Sequence, residues 1–182
     1  MFIAHQLKQK NIAEYLLYMW QVEDLIRAYQ FDLDRIKEKI VNPYPVDDAQ
    51  KGELLQWYAD LIDMMRQEGV MEKGHLQINR NVVVWLTDLH LQLLKRSDFP
   101  FYNAAYYKAL PFIVELRNKS NHKEEPELET CFDALYGVML LKLQQKQVSD
   151  DTQKAVQVIS SFLSMLANYY DKDKKGELKL DE

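Results

Sequence analysis

Apolar positions recur along the chain at spacings of three and four, and no stretch shows the one-in, one-out alternation of a strand. In the first long segment Tyr15, Met19, Val22, Ile26, Tyr29, Leu33, Ile36 and Ile40 form a single stripe, which predicts one unbroken helix. Its first half, IAEYLLYMWQV (12–22), is apolar on almost every side, the pattern of a helix enclosed by its neighbours. Glu14 and Gln21 stand seven apart on one narrow line, so that line either meets solvent or carries a buried polar contact.

NPYP (42–45) ends this segment, because proline has no N–H to give and its ring clashes with the preceding turn. Asp47 with Gln50 offers a capping box for a second helix, with Leu54, Tyr58, Leu61 and Met65 as its buried face. Gly69 and Gly74 bracket the next turn, and a third helix follows with Ile78, Val82, Trp85 and Leu89 inward. Ser97 and Asp98 are candidate caps of a fourth, whose face is Tyr102, Tyr106, Leu110, Ile113 and Leu116. Pro111 lies inside that helix and cannot donate to the carbonyl of Tyr107, which predicts a kink. Pro126 suits the first turn of a fifth helix, with Leu128, Phe132, Leu135 and Met139 on its stripe and Gly137 open to close packing. Ser149 caps a sixth, Asp150 and Asp151 favour its positive end, and Ala155, Ile159, Phe162, Leu166 and Tyr169 form its face. Short connections favour antiparallel neighbours. The expected fold is all-α: a single-domain bundle over 1–170 of about six mostly antiparallel helices, the first central and the fourth Pro-kinked. A charged, flexible tail is expected over 171–182.

Composition agrees with a globular domain: 182 residues, 47% hydrophobic and 28% charged. Five glycines and five prolines are few for a loop-rich or all-β chain. A net charge of −5 argues against a general attraction to nucleic acid or anionic lipid. Cys131 is the single cysteine, so it forms no intramolecular disulfide; within ETCFDALYGVMLL it reads as a small buried hydrophobe. The start, MFIAHQLKQKN, lacks the apolar core of a signal peptide, and VVVWL (82–86) is far below the roughly 18 residues of a membrane span. The expected location is the cytoplasm.

Two stretches, NIAEYLLYMWQVEDLIRAY (11–29) and ELETCFDALYGVMLLKLQQKQVS (127–149), resemble an uncharacterised bacterial family, domain-of-unknown-function family 4924, known mainly from Bacteroides and its relatives. The resemblance spans nearly the whole chain and implies one domain. It carries no reaction, ligand or catalytic residue.

Candidate chemistry is sparse. In ELRNKSNH (115–122), Arg117-Asn118-x-x-x-His122 resembles the R-N-x-x-x-H signature of HEPN-type ribonucleases, which are also all-α. A histidine that titrates near neutrality can move the proton of a ribose 2′-hydroxyl, and a forked, fixed charge can hold the phosphate. The resemblance implies that two protomers would join their motifs at a dimer interface. A plainer reading is a helix terminus: cations suit the last turn, and Asn and Ser commonly end helices. The neighbouring EEPELE (124–129) would also repel an RNA backbone.

The tail DKDKKGELKLDE (171–182) aligns with a calcium loop, with Asp171, Asp173, Glu177 and Glu182 as candidate ligands and Gly176 at the turn. Lys175 stands where an oxygen ligand belongs, and a charged, frayed terminus explains the same residues. Glu72-x-x-His75 is the one match to a di-iron half-motif, and Gly74 interrupts it. His90 sits beside Leu86 and Leu93 and reads as a hydrogen-bonded, partly buried histidine. No phosphate loop, nucleophile elbow or dinucleotide fingerprint is present, and no cofactor is expected. Eleven tyrosines, among them Tyr102, Tyr106, Tyr107, Tyr169 and Tyr170, suit a core, and tyrosine also suits wet interfaces. The leading expectation is a non-enzymatic helical module that binds another protein or itself as a homodimer, with no membrane role. The alternative is the metal-independent ribonuclease of Arg117, Asn118 and His122, and only that alternative would bring nucleic acid as a partner.

Overall fold

The computed structural model describes residues 1–119 and 126–178, and among these it is all-α with no strand. Eight α-helices occur among the described residues, not six: α1 Phe2–Lys10, α2 Ile12–Ala28, α3 Leu33–Ile36, α4 Asp48–Gln67, α5 Gln77–Leu94, α6 Pro100–Lys119, α7 Glu127–Leu143 and α8 Asp150–Lys174. A π-helical turn, Lys37–Val41, continues α3.

The two extra helices arise where side chains cap new starts. Asn11 Oδ1 accepts from Ala13 N at 3.1 Å, which separates α1 from α2. Asp32 accepts from Arg35 N at 3.0 Å and restarts the chain as α3. Between them Gln30 and Phe31 are both left-handed (φ 58° and 60°), and Phe31 N donates back to Ile26 O at 3.1 Å to close α2. The apolar stripe from Tyr15 to Ile40 therefore persists while the helix beneath it breaks.

The chain divides into two compact units, one of Met1–Lys10 with Glu14–Val82, the other of Asn11–Ala13 with the chain from Val83 onward. In the first, α3 and its π-helical continuation pack on α4. Asp47 caps α4 by accepting from Gln50 N at 2.8 Å, and Leu54, Tyr58, Leu61, Ile62 and Met65 are buried. Gly69 (φ 69°) closes α4, with Val70 N donating to Met65 O. Tyr15, Leu16, Met19, Trp20, Val22 and Ile26 bury α2 on nearly every side, and exposed Glu14 shows that its polar line meets solvent.

In the second unit α6, α7 and α8 pack on one another. Tyr102, Tyr106, Ala109 and Ile113 are the buried face of α6. That helix opens on Pro100 in place of a Ser97 or Asp98 cap, since proline's missing N–H costs nothing in a first turn. Asp98 instead accepts from the Arg96 guanidinium at 2.9 and 3.1 Å. α6 continues through Pro111 to Lys119. Ser149 caps α8 as expected, accepting from Thr152 N at 3.3 Å, and α8 runs to Lys174, past the point where the tail was expected to begin.

The inward face expected of α5 is corrected. Ile78 and Trp85 are 39% and 48% exposed, whereas Val82, Leu86, Leu89 and Leu93 are buried. Val82 and Leu89 belong to both stripes, so the apolar pattern alone could not say which flank turns inward.

Candidate functional site

An exposed apolar side lies on α6, opposite its buried face. Phe101 is 79% exposed, Tyr107 64% and Val114 47%, with Ala104 and Pro111 exposed between them. Residues 101, 104, 107, 111 and 114 follow spacings of three and four, so they share one side of the helix. Lys108 and Glu115, both exposed, continue the seven-residue row that Phe101 begins, on the flank of the Ala104, Tyr107, Pro111 and Val114 side. α5 also exposes apolar side chains, but Asn81 and Asp88 separate its Ile78 and Trp85 row from its Val84 and Leu91 row.

Arg117 lies in the last turn of α6, its Nη1 3.8 Å from Oε1 of Glu127. The other oxygen of Glu127 accepts from the Tyr106 hydroxyl at 2.8 Å. One of the carboxylates of the 124–129 stretch thus faces the guanidinium. Asn118 is exposed on the same turn, and His122 lies outside the described residues.

Behind this corner, Nδ1 of His90 lies 2.6 Å from the Tyr102 hydroxyl, and the ring meets Tyr106 and Phe162 edge-on. Burial lowers the His90 pKa, outweighing the Glu127 carboxylate that raises it. Burial also pushes the Tyr102 and Tyr106 phenols and the Cys131 thiol well up, so all three keep their protons. A protonated, enclosed thiol is the opposite of a nucleophile.

The first unit holds a polar cluster that sequence reasoning missed. Glu23 of α2 is 0% exposed. Its Oε1 accepts from Leu76 N at 3.0 Å and from Asn79 Nδ2 at 2.6 Å, and its Oε2 accepts from His75 Nδ1 at 2.6 Å. The His75 ring stacks on Trp20 with centroids 4.0 Å apart. One helical turn on, Arg27 donates to the carbonyls of Val70 (3.0 Å) and Gly74, and to Asp24 Oδ1 at 2.8 Å. Glu23 thus satisfies donors at the start of α5 while Arg27 satisfies acceptors in the turn before it. Apart from the Arg27–Asp24 pair within α2, these contacts lock the α4–α5 connection. The only sequence signal was the four-residue spacing of Glu23 and Arg27, which many surface pairs share.

At the C-terminal end, residues 171–174 are the last turn of α8. Asp171 takes the Lys175 ammonium at 2.6 Å. Gly176 (φ 70°) donates to Asp173 O, and Glu177 N donates to Lys172 O, a helix-closing pattern. Glu182 lies outside the described residues. Among the described residues no group of three or more His, Cys, Asp or Glu is placed to hold a metal. Nor, among them, is any helix long and apolar enough to cross a membrane.

These features define an all-helical protein whose buried ionic groups secure turns and whose α6 keeps an apolar side in water. The chain belongs to the family described as Domain of unknown function (DUF4924), whose model matches residues 1–177, as the stretches 11–29 and 127–149 led one to expect. No curated protein and no solved structure matches it.

Proposed function

We propose that this protein acts as a non-enzymatic binding module and that the exposed side of α6 is its contact surface. The observation that carries the reading is the contiguity of the Phe101, Ala104, Tyr107, Pro111 and Val114 stripe. At ~200 Å² per aromatic side chain, the exposed fractions of Phe101 and Tyr107 alone leave about 300 Å² of apolar surface in water. That already reaches the size of the largest patch on a typical monomer. An amphipathic helix laid along α6 is the partner this shape fits, because its own i, i+3, i+4, i+7 side chains interdigitate with such a row. Glu23, His75 and Arg27 are engaged in closing a turn, and His90 is enclosed by aromatic rings, so no side chain among them is assigned a reaction.

Site-specific photo-crosslinking in the native host tests the reading. A photoreactive residue at position 104 or 107 should give discrete protein adducts, and one at exposed Asp63 on α4 should give none. Equal labelling from both helices, or none from α6, would count against it.

A further inference from the structure

We propose that the occupant of the α6 face is a second copy of this chain, lying antiparallel about a two-fold axis at Pro111. This rests on the reading of α6 as the contact surface and adds to it a partner and a register. Two pairs on the exposed side are each seven residues apart: Lys108 with Glu115, and Tyr107 with Val114. Their midpoints fall on either side of Pro111. A two-fold axis there carries each row onto the same row of the second copy with its direction reversed. Lys108 of one copy then lies beside Glu115 of the other, twice, and Tyr107 lies over Val114 of the other, twice. Small Ala104 and the flat Pro111 ring permit a close approach of the two backbones.

A parallel pairing reverses the electrostatics, setting Lys108 against Lys108 and Glu115 against Glu115. Charge complementarity therefore selects the antiparallel arrangement. Glu115 also meets Lys119 of its own helix at 2.6 Å, an exposed pair that an incoming Lys108 can share. Tyr107 of the two copies alone would cover about 250 Å² of aromatic surface before Val114, Ala104 and Pro111 are counted, so the interface falls at the small end of specific complexes, near or below about 1,200 Å². A concentration-dependent dimer is expected in place of a permanent one.

Sedimentation velocity on the full chain, from about 1 to about 200 μM in low salt, tests this. The wild type should dimerise, and Val114→Glu should remain monomeric with an unchanged far-ultraviolet circular dichroism spectrum. Lys108→Glu and Glu115→Lys should each weaken dimerisation about tenfold, since each sets like charges together at two places. The double charge swap should restore it. A dimer that ignores Val114→Glu overturns this proposal and the α6 surface together. A dimer broken by Val114→Glu, with no rescue by the double swap, overturns the antiparallel register and leaves α6 as the surface. A monomeric wild type across the whole range overturns self-pairing, and discrete adducts from position 104 or 107 to a different protein would then preserve the broader reading.

Discussion

Removal of the Glu23 carboxylate probes a buried group that makes three polar contacts in the first unit. Leu76 N and Asn79 Nδ2 both donate to Oε1 inside the protein, while His75, whose side chain is 24% exposed, donates to Oε2 near its edge. Glu23→Ala leaves two buried donors without acceptors, at about 1–3 kcal/mol each, and water can reach the third. The expected loss is about 4 kcal/mol, a large share of the roughly 5–15 kcal/mol that holds a domain folded. Glu23→Gln is gentler. Its amide oxygen can stay at the Oε1 position and keep both buried donors, while its NH₂ faces a His75 ring that shifts its proton to the other nitrogen. Only the charge is lost there, at about 1–2 kcal/mol.

Urea unfolding followed by far-ultraviolet circular dichroism and by tryptophan fluorescence measures both variants. Equal slopes would license the comparison of midpoints. Trp20 stacks on His75, so in a background that replaces Trp57 and Trp85 by phenylalanine its fluorescence reports locally while dichroism reports globally. An alanine variant within about 1 kcal/mol of wild type would refute the donor count. So would a glutamine variant as damaged as the alanine one, because the charge alone would then carry the interaction.

Stability should also fall with acid through His90. Its folded pKa lies below the ordinary 6.5, so below pH 6.5 the unfolded chain takes up a proton that the folded chain refuses. The contribution is complete above 6.5, declines as pH drops at up to about 1.4 kcal/mol per unit, and levels off beneath the folded value. His90→Gln should flatten that limb of a stability–pH curve, and a His90 ring titrating at or above 6.5 by NMR would refute the assignment. At the end of α2, exposed Gln30 holds φ 58°, a conformation that costs a non-glycine residue about 1 kcal/mol. Gln30→Gly should therefore raise the urea midpoint by the equivalent of about 0.5–1 kcal/mol, and a lowered midpoint would show the backbone there to be unstrained.

The helical class, the buried face of α4 and the caps at Asp47 and Ser149 were legible because each depends on residues within a turn or two of one another. The breaks at Asn11 and Asp32 depend equally on local caps, yet an apolar stripe running straight across the second hid it. Periodicity reports which side of a chain is apolar, and a helix can stop and restart without disturbing that side. The inward turn of α5 was ambiguous for a different reason: VVVWL is apolar all round, so neighbours choose the buried flank. Glu23 was illegible because its three donors stand 52, 53 and 56 residues away, and nothing in QVEDLIR distinguishes a buried carboxylate from a solvated one. Arg117 was read correctly as a last-turn cation, and its meeting with Glu127 needed the packing of α6 on α7.

On α6 the inward residues Tyr102, Tyr106 and Ile113 were legible as one stripe, but Phe101, Tyr107 and Val114 make a second on the opposite side. A helix with two apolar sides asks for two partners. Packing on α7 and α8 satisfies one side within the unit, and the other remains in water in the isolated chain. Polar substitutions at those positions would cost the isolated fold little, because exposed side chains away from special features usually shift stability by less than about 0.5 kcal/mol. An aromatic pair kept in water at such positions therefore has no folding rationale, whereas covering it in a complex would give it one. That contrast separates α6 from Glu23: one substitution should change association and leave the fold intact, and the other should change the fold first.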